Sequence, residues 1–211
     1  MEFRKLKAEE IKVRLKSSGL NVKNNQKSAW AMYLLYKDAR CDMSILDETV
    51  GCQNWQREHE QIGNDIYCKV GINSACFTNI KEGESIAETI FPDSNSKFIW
   101  KQDCGTEGES KTEAEKSRAS DSFKRACVNW GIGKELYTAP SIFVALGDNE
   151  WKEKEDVKGK IDVSNRLILS VRYISYDDTG KIKDLLITDK FDNIRFTFGN
   201  PDLSVLKKAT A

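Results

Sequence analysis

The chain has 211 residues, with 33 Lys and Arg against 33 Asp and Glu and 39% hydrophobic residues. That length suffices for one domain, or a domain with an appendage, around a sizeable core. The charges cancel, which excludes a global field advertising a polyanion partner and leaves only local clusters of cations to weigh.

The first stretch, MEFRKLKAEEIKVRLK, is charged throughout and lacks the apolar centre of a signal peptide. No run reaches the ~18 apolar residues of a membrane span, so the expectation is a soluble, cytoplasmic protein. Glu9 to Lys16 is expected as an amphipathic helix with Leu6, Ile11, Val13 and Leu15 on its apolar positions and Gly19 closing it. Ser28 to Lys37 (SAWAMYLLYK) reads as a buried strand, although periodicity leaves a helix open. Asp42 to Val50 predicts a short helix capped by Asp42 and ended by Gly51, with Met43, Leu46 and Val50 at i, i+3 and i+7.

Strands follow. Asn54 to Ile62 suits a half-exposed strand, and Gly63-Asn64-Asp65 signals a hairpin. Ile66, Cys68, Val70 and Ile72 alternate with Tyr67 and Lys69, which predicts a strand with one buried face. Thr78 to Lys97 is polar and aperiodic, a loop, and Phe98 to Cys104 is a further strand. From Glu109 to Gly133 the chain predicts a long helix with a glycine stop. At about 100° per residue, Ala119, Phe123, Ala126, Cys127 and Trp130 fall on one side of it. Lys124 and Arg125 lie at the edge of that stripe and on the far face, beside Ser117, Asp121 and Val128. Lys152 to Lys160 reads as a charged linker. Beyond it Arg166 to Tyr176, Lys181 to Thr188 and Ile194 to Phe198 form a β-meander, with the turn Asp177-Asp178-Thr179-Gly180, expected to add to the main sheet. The fold class is therefore α+β: an antiparallel sheet with a long helix packed across it, plus a C-terminal meander.

No catalytic arrangement holds together. Walker, GxSxG and dinucleotide patterns are all missing. Gly105 to Gly108 precedes a helix, but Glu107 and Glu109 would repel a phosphate there. Asp177 and Asp178 sit in a turn signal, and Glu113 and Glu115 suit the first turns of a helix. The six cysteines lack paired short spacing and His59 is the single histidine, so a zinc site is not expected. No cofactor is implied. Binding chemistry fares better, because Arg40, Arg57, Lys69, Lys111, Lys116, Lys124 and Arg125 are interleaved with Trp30, Tyr33, Tyr36, Trp55 and Tyr67. Single-strand binders combine cations for phosphates with ring faces for bases. The same residues also fit a plain core under a solvated helix face, with Asp121 pairing to Lys124 and Arg125 at i+3 and i+4.

One resemblance bears on that choice. ILDETVGCQNW (Ile45 to Trp55) followed by EKSRASDSFKRACVNWGIG resembles the annealing domain of the Rad-fifty-two family of single-strand annealing proteins, in its bacteriophage, Sak-like branch. The helix motif D-x-x-K-R-A-x-x-x-x-G is matched by Asp121, Lys124, Arg125, Ala126 and Gly131, and the earlier element by Gly51 and Trp55. The resemblance spans roughly Ala8 to Tyr137. It implies a non-enzymatic protein that binds single-stranded DNA and anneals complementary strands as an oligomeric ring, in the cytoplasm of a bacterial host, encoded by a phage or prophage. A phage exonuclease and a host single-strand-binding protein are candidate partners. Lys124 and Arg125 match the family's inner-groove cations, Arg40 lies near another groove arginine, and Lys111 falls near a cation of an outer site. Val128 stands where many relatives place a third basic residue, and Cys52 where an aromatic can occur, which implies a less basic groove. Residues 1–140 are expected to form the annealing domain, with 141–211 a linker and meander extension of it. Two other readings stay open: a single-strand binding or loading module without annealing, and a self-assembling scaffold.

Overall fold

In the computed structural model the described residues are 1–24, 26–78, 85–105, 114–154, 157 and 159–210, without the side chains of 114 and 207–210. The first elements are β1 (Ile11–Lys23), β2 (Gln26–Lys37), α1 (Ala39–Val50), β3 (Trp55–Ile62), β4 (Asp65–Asn73), α2 (Ile86–Thr89), β5 (Phe98–Gly105) and α3 (Ala114–Asn129). They are followed by β6 (Ile142–Leu146), β7 (Trp151–Glu153), β8 (Ile161–Val163), β9 (Leu169–Tyr176), β10 (Ile182–Asp189) and β11 (Ile194–Phe198). The fold is α+β with antiparallel sheets. It divides into two units, one of Met1–Leu6 and Lys37–Lys134, the other of Lys7–Tyr36 and Glu135–Ala211. Among the described residues no helix is long and apolar enough to cross a membrane.

In the first unit β3, β4 and β5 form a three-stranded sheet in that order. Ile62 pairs with Asp65, so Gly63 and Asn64 make a two-residue turn, and Gly63 takes the positive φ of 63° such turns require. The alternation in β4 works as expected: Cys68, Val70 and Ile72 are fully buried, on the face that α3 covers. Phe123, Ala126 and Cys127 meet them from the helix, each at most 1% exposed. Burying one large apolar side chain such as Phe123 is worth ~1.5–3 kcal/mol. Gly105 sets how closely the helix approaches, because a Cβ there would lie 2.0 Å from the Arg118 carbonyl oxygen.

The short helix begins earlier than the sequence suggests. Asp38, not Asp42, is its N-cap, accepting from the Arg40 backbone N–H at 2.9 Å. Asp42 is instead buried inside the unit. Gly51 ends the helix as expected, at φ 83°.

The second unit holds a six-stranded sheet in the order β11-β10-β9-β1-β2-β6. The expected N-terminal helix is absent: Ile11–Lys23 is strand β1, with Lys12 opposite Ser170 of β9. Ile11, Val13 and Leu15 also alternate at period two, and pairing on both sides decided between the two periods. Gly19, expected as a helix stop, lies within that strand beneath the Trp30 indole, where a Cβ would come within 2.6 Å of the ring. The meander of β9, β10 and β11 is present, but it joins this sheet through β1 and not the sheet under α3. β6, whose Ile142, Val144 and Leu146 point inward, went unnoticed in sequence between Pro140 and the charged run. That run is not simply a linker, since Trp151–Glu153 pairs with Ile161–Val163.

The outermost strands of the six-stranded sheet are tied together. Arg195 on β11 donates to the Ala145 carbonyl of β6 at 3.0 Å. It also makes two bonds to Glu150, at 2.6 and 2.7 Å. Asp189 lies 3.6 Å away. The Arg195 guanidinium holds the Glu150 carboxyl below its ordinary value, against a smaller opposing effect of burial.

Candidate nucleic-acid interface

Strand alternation assigns each side chain of the three-stranded sheet to a face. Trp55, Arg57 and His59 of β3 and Lys101, Asp103 and Gly105 of β5 share the face of Cys68, Val70 and Ile72, toward α3. Glu58, Glu60, Lys69, Gly71, Trp100 and Gln102 lie on the opposite, open face.

On the helix side the KRA motif lies among the buried residues of α3. Phe123 and Ala126 are buried, while Lys124 and Arg125 are partly exposed. Lys124 Nζ lies 3.7 Å from Asp121, the expected i+3 partner. Arg125 Nε donates to Asp103 of β5 at 3.2 Å. Ion pairs this exposed contribute only ~0–1 kcal/mol. Arg57 places its guanidinium 4.9 Å from the Phe123 ring centre, and Trp55 stacks on the same ring at 6.2 Å. Arg57 thus stays exposed at the side of the sheet that carries α3. Lys116 is exposed near the start of α3.

Arg40 is exposed in the first turn of α1, and a buried ion pair ties that turn to the motif. Lys37 Nζ donates to Asp42 Oδ1 and, at 3.3 Å, to the Lys124 carbonyl. Lys37 is 4% and Asp42 0% exposed. Burial pushes the Asp42 carboxyl up to about 6, while Lys37 and Lys124 draw it back down. Among the described residues its Oδ2 has no hydrogen-bond partner. The same burial, with Asp42 nearby, pushes the Cys127 thiol well above its ordinary value. Gly133, at φ 73°, closes over the Lys37 methylenes, where a Cβ would come within 2.3 Å of Lys37 Cε.

The structure therefore brings Lys124, Arg125, Lys116 and Arg57 to the α3 side, with the Arg40 turn fastened to it. Lys69 is not among them. It lies on the open face, paired to Glu60 at 2.8 Å and directly opposite Glu58. Lys111 lies outside the described residues. Val128 is half-buried and Cys52 exposed. Sequence reasoning passed over Lys37 and Asp42, because a lysine at a strand end reads as solvated and an aspartate before a helix reads as a cap. It also passed over Lys101, which lies 4.4 Å over the Trp130 ring and donates to the Asn129 carbonyl at 2.8 Å. Trp100 was seen only as a strand residue. The four groups Glu58, Lys69, Trp100 and Gln102 line a cleft of about 380 Å³ on the open face.

No curated protein and no solved structure matches the chain. A family model described as Rad52/22 family double-strand break repair protein matches residues 3–155, well over half of the chain. The protein belongs to the Rad52/22 family.

Proposed function

We propose that this protein binds single-stranded DNA and anneals complementary strands, without nucleotide hydrolysis, as an oligomeric ring. The observation that carries the reading is the α3 helix. Its KRA motif sets two adjacent cations, Lys124 and Arg125, at the edge of a helix whose other face is locked onto the sheet by Phe123, Ala126 and Cys127. Cations held on a rigid element keep phosphates in a fixed path, and in this reading the bases along that path stay free to pair. Membership of a double-strand break repair family supports recombination as the setting.

In this reading Lys124 and Arg125 are the principal phosphate contacts. Arg40, Lys116 and Arg57 add to them, Lys111 serves a second site, and Lys69 touches the strand from the open face. The Sak-like phage branch, a bacterial cytoplasmic setting, and a phage exonuclease or host single-strand-binding protein as partners belong to the same proposal. In a ring the few cations of each protomer line up in one groove, so phosphate contacts multiply while the net charge of zero is kept.

Strand pairing is the test. Complementary labelled oligonucleotides mixed with the protein should anneal faster than without it, and Lys124→Ala with Arg125→Ala should remove the acceleration. Strand binding without acceleration would leave a loading module in place of an annealer.

A further inference from the structure

The open face of the three-stranded sheet carries an aromatic residue mounted in an unusual way. Trp100 of β5 pairs across from Gly71 of β4. A Cβ built on Gly71 would meet three atoms of the indole's six-membered ring, Cε3, Cδ2 and Cζ3, at 2.8, 2.9 and 2.9 Å. Three neighbouring ring atoms at nearly equal distance mean that the ring's face, not its edge, covers the glycine. The indole therefore lies against the β4 backbone in a space that any other residue at 71 would fill. Phe98, tilted by 42° at 6.1 Å, flanks it. Trp100 remains 37% exposed, and with its inner face on Gly71 the exposure belongs to the outer side of the ring.

The surroundings say what fits there. Among the described residues Lys69, Glu58 and Gln102 line the cleft with it, which gives ammonium donors, a carboxylate acceptor and an amide that does both. An apolar helix would take Glu58, Gln102 and the Lys69–Glu60 pair out of water without offering them new partners. A phosphate is opposed by Glu58 and by Glu60, which already occupies Lys69. A neutral, flat ligand with mixed donors and acceptors on its edge is complementary to both ring and rim. A nucleobase has that chemistry, and stacking on an aromatic face suits any base.

We propose that Trp100 is a base-stacking platform for a single strand of nucleic acid, with Glu58, Lys69 and Gln102 at the edge of the stacked base. This site lies on the face opposite α3 and takes the base where Lys124 and Arg125 take phosphate. The inference rests on strand binding, though not on annealing. It gives Gly71 a function, since the glycine makes room for the platform.

The test compares an oligo-dT strand with an abasic strand of equal length and charge, titrated against the whole protein. The native protein should prefer the base-bearing strand. Trp100→Ala should weaken binding to that strand by about tenfold and leave abasic affinity and salt dependence as they were. Trp100→Phe should keep most of the preference. Gly71→Ala, which displaces the indole without removing it, should reproduce the Trp100→Ala loss. Equal loss on both strands, or an unchanged preference in Trp100→Ala, overturns the platform while strand binding stands. Base-dependent binding without any annealing would remove the annealing reading and keep this one.

Discussion

Lys37 and Asp42 show how much a single pair of side chains decides. Both are buried, and the lysine reaches the Lys124 carbonyl as well as the carboxylate. Removing one partner of such a pair strands a charge in a poorly solvated site, which costs ~3–5 kcal/mol, whereas replacing both by apolar residues costs far less. Lys37→Met is therefore expected to lower the urea midpoint strongly, and Lys37→Met with Asp42→Leu to recover most of the loss. A single variant as stable as the native protein would show that the pair is dispensable. Nothing in the spacing of these residues announces the pair. Asp38 and Asp42 both precede apolar helical positions, and only the packing of α1 against α3 shows which one caps and which one is buried.

Among the elements, α3 and its sheet are the best specified. Gly105→Ala would press a methyl into the Arg118 carbonyl, and overpacking of this kind costs ~1–3 kcal/mol. The expected result is a lower melting temperature together with faster thiol labelling of Cys127, which the helix shields completely in the native protein. Labelling at the native rate would mean that the helix shifts without opening. The six-stranded sheet depends on Arg195 in a different way. The Glu150 carboxyl is held below its ordinary 4.5 by that guanidinium. A lowered carboxylate stabilises the fold above its unfolded value and loses that contribution as pH falls through the lower folded value. Arg195→Ala should thus destabilise the protein by about 2 kcal/mol at neutral pH, and the gap to the native protein should shrink as pH drops below 4.5. A gap independent of pH would assign the effect to packing alone.

The strands β3, β4 and β5 and the stripe of α3 could be read from the chain because their periods are unmixed. Cys68, Val70 and Ile72 alternate cleanly, and Phe123, Ala126 and Cys127 recur at helical spacing. β1 could not, because cations between Ile11, Val13 and Leu15 satisfy a helix and a strand equally until neighbours pair with it. β6 was hidden by its brevity. In the candidate site the KRA pattern singles out Lys124 and Arg125, which the structure places partly exposed on α3. The flat mounting of Trp100 was not legible, since it depends on the register that sets residue 100 opposite Gly71.

For the whole molecule, the proposed function raises the question of how a chain with no net charge would hold a polyanion. In the proposed reading local cations on a rigid helix do so, and salt would report their number. Each phosphate neutralised on a single strand releases ~0.7 counterion, so the slope of affinity against salt counts the contacts. Anisotropy of labelled oligo-dT at low and moderate salt, with Lys124→Ala and Arg125→Ala combined in parallel, measures this directly. The account predicts tight binding that falls steeply with salt and is lost in the double variant, while the variant keeps its assembly state. No binding at low salt by a folded protein, or native binding by the double variant, would contradict it.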